Sequence, residues 1–155
     1  DILLEKKEHQ KISGERRALL VEDYEGNILV IGYILEEMGL PYDVAKTGVE
    51  ALDLWRQNAY NVILMDVQMP EMDGFEATRV IRSQEESLLH AVGKSQHLPI
   101  IAMTANAMKE DRDRCHAVGM DDFLSKPVTS KSLTAALNRW LPHGQVPAET
   151  ESKAA

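Results

Sequence analysis

The sequence has a single cysteine, Cys115, so no disulfide can form within the chain. Aromatic residues make up only 5% of it, and no apolar run approaches the roughly 18 residues that cross a bilayer. These absences exclude an internally disulfide-bonded fold and a membrane-spanning chain. A lone thiol fits a reducing compartment, and we expect a cytoplasmic location.

Positive charge is also scarce. The chain has 17 Lys and Arg against 25 Asp and Glu, which gives a formal net charge of −8. A surface that tracks nucleic-acid phosphates needs clustered basic residues, so we expect no direct contact with nucleic acid. The histidines show no metal-binding spacing such as H-E-x-x-H, and a zinc site is therefore not expected.

The length of 155 residues and the 44% hydrophobic content suit one domain with one buried core. Composition divides the chain into three parts. Residues 1–16 mix charge with a short apolar patch and are predicted to be a linker or an extra helix, and residues 17–144 form the domain. Residues 145–155 are small, polar and proline-bearing, which predicts a disordered tail.

Within the domain, short apolar runs alternate with longer segments of helical period. This alternation is typical of β-α units that build a mostly parallel sheet. We predict strands at 18–21, 42–45, 61–65, 99–103 and 122–125. Helices are predicted from about 27 to 39, after a capping box at 47–50, over 75–82, over 108–118, and from 129 or 130 to 141. The polar stretch 83–98 is predicted to be a loop.

The expected fold class is therefore α/β, with a doubly wound five-stranded parallel sheet and helices on both faces. Such sheets bind ligands at the carboxyl ends of their strands. The predicted strands end in polar groups there: Glu22 and Asp23 after the first, Asp66 after the third, Thr104 after the fourth and Lys126 after the fifth. The sequence thus predicts three carboxylates, a hydroxyl and an ammonium at one edge of the sheet.

Three carboxylates in one crevice repel each other unless a cation lies among them. Oxygen ligands without His or Cys favour Mg²⁺ over zinc. A carboxylate beside Mg²⁺, a lysine and a hydroxyl donor is suited to receive a phosphoryl group. Asp66 is the predicted acceptor because it ends the central strand, while Lys126 would neutralise the transferred oxygens and Thr104 would donate a hydrogen bond to one of them.

Four segments carry a family resemblance: LLVEDYEGN, VILMDVQMPEMDGFEATRVIR, PIIAMTANAM and CHAVGMDDFLSKPV. In order and spacing they resemble the receiver domain of two-component response regulators over about residues 17–141. The phrasing is most similar to the C-terminal receivers of hybrid sensor histidine kinases. The resemblance implies a flavodoxin-like sheet with strand order 2-1-3-4-5.

The resemblance also implies individual roles. Asp66 would be the phosphoacceptor, and Mg²⁺ would be bound by Glu22, Asp23, Asp66 and the backbone carbonyl of Gln68. Thr104 and Lys126 would bind the phosphoryl group. Phe123 matches the position of an aromatic switch residue, without the hydroxyl of tyrosine, and the Lys126–Pro127 peptide bond is expected to be cis.

The implied function is phosphorelay signal transduction. Asp66 would accept a phosphoryl group from the phosphohistidine of a histidine kinase or a histidine phosphotransfer protein, by a transfer that the receiver itself helps to catalyse. The switch would be read at the fourth helix, fifth strand and fifth helix. The missing initial methionine and the helical appearance of residues 1–11 favour a hybrid kinase over a stand-alone regulator. The domain itself is expected to make no membrane contact, though such a parent could be tethered to the inner face of a membrane.

Two other functions fit part of the pattern. An aspartyl-nucleophile phosphatase or phosphomutase would use a similar sheet, but such sites usually place a second aspartate two residues after the nucleophile, where this chain has Gln68. A receiver-like module that binds partners without phosphorylation would have no reason to retain the complete residue set. A dinucleotide enzyme is disfavoured because no G-x-G-x-x-G follows the first strand.

Overall fold

The computed structural model describes residues 16–93, 97–106 and 108–141. In these ranges the strands are β1 (Ala18–Val21), β2 (Tyr42–Ala45), β3 (Val62–Asp66), β4 (Ile100–Thr104) and β5 (Asp122–Ser125). The helices are α1 (Glu25–Glu37), α2 (Gly48–Gln57), α3 (Gly74–Val92), α4 (Lys109–Val118) and α5 (Ser130–Trp140). The predicted linker, apart from Arg16, and the predicted tail lie outside the described residues.

The strands form one parallel sheet in the order β2-β1-β3-β4-β5. Every residue of β1, β3 and β4 is buried, as their continuous apolar runs predict for strands covered on both faces. This confirms the predicted flavodoxin-like α/β fold. Asp66 and Thr104 are the last residues of their strands rather than the first residues after them.

The sheet separates two apolar layers, because alternate side chains of each strand point to opposite faces. One layer packs the strands against α2, α3 and α4, and its largest side chain is Trp55, which is fully buried. The other layer packs them against α1 and α5. The predicted inward residues of α1 are buried, namely Ile28, Ile31 and Leu35, and so is Met38, which caps the C-terminal end of the helix. Helices therefore cover both faces of the sheet. They leave uncovered its carboxyl edge, where the predicted site residues lie.

The loop prediction for residues 83–98 is wrong over most of its length. Helix α3 continues to Val92 and ends at Gly93, which adopts the left-handed conformation with φ 71°. Residues 94–96 lie outside the described part of the chain. Apart from Glu85, the polar residues that suggested a loop lie on the outward side of this long helix.

A buried ion-pair network explains why α3 continues. Glu85 is only 7% exposed and accepts a hydrogen bond from the Leu98 amide at 2.9 Å. Arg82 donates to Glu85 at 2.8 Å and to Asp121, which precedes β5, at 2.9 Å. A glutamate at a core position breaks the apolar pattern expected of a helix, so the sequence pattern favours a loop there. In the structure, however, the charge of Glu85 is paired and its oxygens are hydrogen-bonded.

Two helix starts show how the turns at the carboxyl edge are fixed. The Thr47 side chain accepts a hydrogen bond from the Glu50 amide, as the predicted capping box requires. The Glu50 carboxylate, however, accepts from the Lys46 amide and not from that of Thr47. At the start of α3, a Cβ atom on Gly74 would overlap the backbone carbonyl of Asp66, so glycine allows this helix to begin directly against the end of β3.

Candidate functional site

The parallel register brings the polar strand ends together. Met65 is in register with Val21, so Asp66 lies beside Glu22 at the carboxyl edge. Thr104 is in register with Ser125, which directly precedes Lys126. The Lys126 amide also donates a hydrogen bond to the Thr104 carbonyl at 2.8 Å. The pairing of the strands alone therefore brings four side chains to the same edge of the sheet: Glu22, Asp66, Thr104 and Lys126.

Lys126 links the two buried carboxylates. Its Nζ atom lies 3.1 Å from Asp66 Oδ1 and 3.1 Å from Glu22 Oε1. The carboxylates are almost fully buried, with side-chain exposures of 3% for Asp66 and 1% for Glu22, while Lys126 retains 21%. One ammonium therefore faces two buried negative charges, and the pair of acids is left with an excess of negative charge.

Asp23 adds a third carboxylate at the solvent side of the same cluster. Carboxylate oxygens of Glu22, Asp23 and Asp66 all lie within 4.8 Å of one another, close enough to bind a single cation. Glu22 Oε1 is buried, and its contact with Lys126 lacks the geometry of a hydrogen bond, so this oxygen has no hydrogen-bond partner. The cluster contains only hard oxygen donors, which fit Mg²⁺.

Burial raises the pKa of Asp66 from 3.8 to about 6. The Gln68 amide and the Lys126 ammonium lower it, and the charge of Glu22 raises it, but the loss of hydration dominates. Burial alone would lower the pKa of Lys126, yet its interactions with Asp66 and Glu22 outweigh burial and the net change is upward. Lys126 therefore stays positively charged, whereas ionised Asp66 is destabilised until a further cation joins it.

This shift gives the stability of the metal-free protein a pH dependence. The folded state binds the Asp66 proton more tightly than the unfolded chain does. Protonation of Asp66 therefore stabilises the folded state below about pH 4, and this stabilisation is lost as the pH rises through 6. Asp66→Asn removes the titrating group. The difference in free energy of unfolding between the Asp66→Asn variant and the native protein should therefore shift in favour of the variant by roughly 2–3 kcal/mol when the pH is raised from 4 to 7.5.

Urea unfolding in EDTA at both pH values measures this gain. Asp53→Asn, which changes an exposed acid on α2, is the control and should follow the native pH profile. A stability difference between Asp66→Asn and the native protein that is equal at pH 4 and pH 7.5 would contradict the burial of an ionisable Asp66.

Thr104 and Phe123, the predicted phosphoryl-binding and switch residues, have different surroundings. The Thr104 hydroxyl is buried and bonded to the backbone of Asn106, donating to its carbonyl at 3.1 Å and accepting from its amide at 3.0 Å. Phe123 is half-buried on β5, and the Arg112 guanidinium lies over its ring, 5.5 Å from the centroid. The hydroxyl is thus tied to the β4–α4 loop, and the aromatic ring to α4.

Gln68 contributes a backbone donor. Its amide donates to Asp66 Oδ1 at 3.1 Å, while the metal-binding role of its carbonyl remains a prediction. Sequence reasoning missed the Asn106 partner of Thr104 and the Tyr24 amide, which donates to Glu22 Oε2 at 3.1 Å. Both partners are backbone groups, which residue types do not reveal. The expected Lys126–Pro127 cis peptide bond is present.

The other candidate reactive groups are not part of this cluster. In the described ranges, Glu22, Asp23 and Asp66 form the only group of three or more His, Cys, Asp or Glu residues placed to bind one metal ion. Cys115 is buried, which raises the pKa of its thiol. None of the helices in these ranges is long and apolar enough to cross a membrane.

The structure is thus that of a doubly wound α/β protein with an acidic cluster and a lysine at the carboxyl edge of its sheet. The family follows from sequence. A model of the response regulator receiver domain matches residues 18–138, and the chain belongs to that family.

The relatives include sensor kinases far longer than this chain. Hybrid signal transduction histidine kinase B of Dictyostelium discoideum is 45% identical over 120 residues, which are 76% of this chain and 6% of that protein. Histidine kinase 5 of Arabidopsis thaliana is 39% identical over 149 residues, covering 84% of this chain and 16% of that protein. The chain therefore corresponds to a small part of these relatives.

Two solved structures are informative. The receiver domain of sensor histidine kinase PA1611 from Pseudomonas aeruginosa, with a magnesium ion coordinated in its active-site cleft, is 38% identical with a TM-score of 0.70, covering 81% of this chain and 97% of that one. A co-crystal structure holds the Saccharomyces cerevisiae histidine phosphotransfer protein Ypd1 and the receiver domain of Ssk1. That match is 29% identical with a TM-score of 0.76, covering 87% of this chain and 94% of that one.

Proposed function

We propose that this receiver domain accepts a phosphoryl group on Asp66 from a protein phosphohistidine and changes conformation in response. The observation that carries the proposal is the position of Lys126 Nζ, 3.1 Å from both Asp66 and Glu22, in a cluster that Asp23 completes. A buried carboxylate beside a fixed ammonium and a cation site has what phosphoryl transfer needs, namely positioning and charge neutralisation.

In the proposed reaction, an Asp66 carboxylate oxygen attacks phosphorus. A phosphorus–oxygen bond forms and the phosphorus–nitrogen bond to the donor imidazole breaks. The electron pair of the broken bond returns to that nitrogen, and the donor leaves as neutral imidazole because its other ring nitrogen already carries a proton. Lys126 neutralises charge on the transferred oxygens. The Thr104 hydroxyl would leave its Asn106 partner to donate a hydrogen bond to the phosphoryl group, which would move the β4–α4 loop.

The carboxylates of Glu22, Asp23 and Asp66, together with the Gln68 carbonyl, would hold Mg²⁺. The bound ion would supply positive charge that attracts the phosphoryl oxygens and offsets the repulsion within the cluster. The raised pKa of Asp66 and the buried Oε1 atom of Glu22, which forms an ion pair with Lys126 but no hydrogen bond, support a cation at this place. The magnesium ion in the related PA1611 receiver supports the same assignment.

The relatives support a proposal about the parent protein and the partner. Similarity to a hybrid histidine kinase supports a parent protein of that kind, and similarity to the Ssk1 receiver in complex with Ypd1 supports a histidine phosphotransfer protein as the partner. An interaction module without phosphorylation is less well supported, because a buried and partly unpaired carboxylate cluster costs stability unless it binds something.

Incubation with phosphoramidate and Mg²⁺ tests the proposal. We expect intact mass spectrometry to show one phosphoryl group per chain, and we expect the label to be lost under hydroxylamine, as an acyl phosphate requires. A chain that stays unlabelled, or a label stable to hydroxylamine, would contradict the function.

A further inference from the structure

Helix α3 is longer than the sheet against which it packs. Its 19 residues span about 28 Å, whereas the five residues of β3 span about 16 Å. The helix begins at the carboxyl edge and reaches the other edge near Gln84 and Glu85. Gln84 accepts a hydrogen bond from Arg56, near the end of α2, and Glu85 accepts one from the Leu98 amide, shortly before β4. Residues 86–92, which we call the α3 end, therefore project about 10 Å past the amino edge of the sheet.

The apolar side of α3 continues along the α3 end. Ile81 is buried in the core layer between α3 and the sheet, and Glu85 follows one turn later on the same side. Leu88 and Val92 extend this stripe at spacings of three and four residues, and Leu89 borders it. Leu88 is half-buried, while Leu89 and Val92 are 43% and 42% exposed. A helix owes most of its stability to the packing of such a stripe, so the α3 end is suited to binding another apolar segment.

The chain enters the domain at this same edge of the sheet. The Arg17 amide donates to Asn61 Oδ1 at 2.9 Å, and the Arg17 carbonyl accepts from the Asn61 amide at 2.8 Å. The Arg17 guanidinium also pairs with Asp43 at 2.8 Å, and Asp43 accepts a further hydrogen bond from the Tyr60 hydroxyl at 2.7 Å. These contacts fix the point from which residues 1–15 lead away.

This entry point lies near the α3 end. Strand β1 is paired with the central strand β3, and α3 is the middle helix on its face of the sheet, since it contacts both α2 and α4. The stripe of α3 passes beyond the sheet on its sheet-facing side, so it faces the space beside the amino edge into which residues 1–15 lead.

The segment 1–15 has the composition and the reach to cover the stripe. It carries the apolar run Ile2-Leu3-Leu4 among mostly charged and polar residues. The stretch between Leu4 and Arg16 spans roughly 18 Å as a helix and roughly 40 Å when extended, and both exceed the length of the α3 end. A segment tethered this closely acts at an effective concentration in the millimolar range, so a few apolar side chains suffice for docking.

We propose that the α3 end is the docking surface for residues 1–15 of this same chain, with Ile2–Leu4 packed on Leu88, Leu89 and Val92. The contact fixes the receiver relative to the polypeptide that leads into it. It lies at the edge of the sheet opposite Asp66 and does not depend on phosphorylation, so it goes beyond the proposed function.

Limited trypsin digestion of the full chain tests the contact, because the segment carries Lys7 and Lys11. A docked segment is cleaved only when it is released, so the cleavage rate reports the released population. Intact mass spectrometry follows cleavage after these two lysines. Cleavage after Lys153, near the other end of the chain, is the internal reference.

The variants change the two sides of the contact separately. Leu89→Ser with Val92→Ser changes the α3 end, and Leu3→Ser with Leu4→Ser changes the segment. The matched control is Leu29→Ser with Val30→Ser, because these residues are 70% and 53% exposed on α1, on the opposite face of the sheet.

We expect the α3 variant to speed cleavage after Lys7 and Lys11 at least about tenfold, since the burial of a leucine and a valine is lost. The segment variant should have a similar effect, and the combination of both variants should add little, because both remove one contact. The control should stay within about twofold of the native rate. Cleavage within residues 18–138 should stay slow in every variant, which shows that each is folded.

Equal cleavage of the segment in the native chain and in the α3 variant would overturn the docking. Fully additive effects of the α3 and segment variants would overturn it too, as would protection that increases with chain concentration, which would place a second copy on the stripe. The segment variant keeps the test decisive if the α3 variant does not fold.

Discussion

Asp66→Asn should abolish labelling by phosphoramidate and Mg²⁺. The carboxamide lacks the anionic oxygen that attacks phosphorus, so no acyl phosphate can form at this position. We expect the labelling rate to fall at least about 100-fold, to the background of other carboxylates. Intact mass spectrometry over a time course measures the fall directly.

Asp73→Asn is the matched control for this prediction. Asp73 follows the same strand but acts as the N-cap of α3, where its side chain accepts a hydrogen bond from the Glu76 amide. Asparagine caps a helix as well as aspartate does, so this variant should fold and be labelled at the native rate. Equal labelling of Asp66→Asn and Asp73→Asn would refute the assignment of the acceptor.

Removal of Mg²⁺ should have an effect of similar size. Three carboxylates share one ammonium in this crevice, so an incoming phosphoryl group with its own negative charge meets net repulsion. A bound divalent ion is worth several kcal/mol to such a step. We expect EDTA to slow labelling by phosphoramidate at least about 100-fold, and excess Mg²⁺ to restore it.

The control for ionic strength is an equivalent amount of NaCl, which should restore nothing. Asp23→Asn removes the most exposed member of the cluster and should raise the Mg²⁺ concentration needed for half-maximal labelling. Equally fast labelling in EDTA and in Mg²⁺ would show that the Lys126 ammonium alone neutralises enough charge for the transfer. That result would contradict the proposed role of Mg²⁺.

The five-stranded parallel sheet could be predicted from its short apolar runs, whereas its strand order was implied by the family resemblance. A strand covered on both faces needs a continuous apolar run, and β1 and β3 have one. The inward stripe of α1 likewise followed from spacings of three and four residues. Parallel strands then place Asp66 and Lys126 at one edge without further information, which is why the proximity of the site residues was predictable.

The extent of α3 could not be predicted because it depends on a tertiary interaction. Glu85 belongs to the helix only because Arg82 and the Leu98 amide satisfy its buried carboxylate. The hydrogen bonds that hold Thr104 were hidden for a similar reason, since the Asn106 backbone provides them. Patterns of residue type indicate which positions are buried and whether the spacing is that of a helix or a strand. They do not indicate which backbone groups a polar side chain will hydrogen-bond.

Locating the phosphoryl group on the chain is the most direct test of the central claim. After labelling with phosphoramidate and Mg²⁺, reduction with borohydride converts an aspartyl phosphate into homoserine, and peptide mapping identifies the position. We expect homoserine at residue 66 alone. Homoserine at another acidic residue, with Asp66 unchanged, would contradict it.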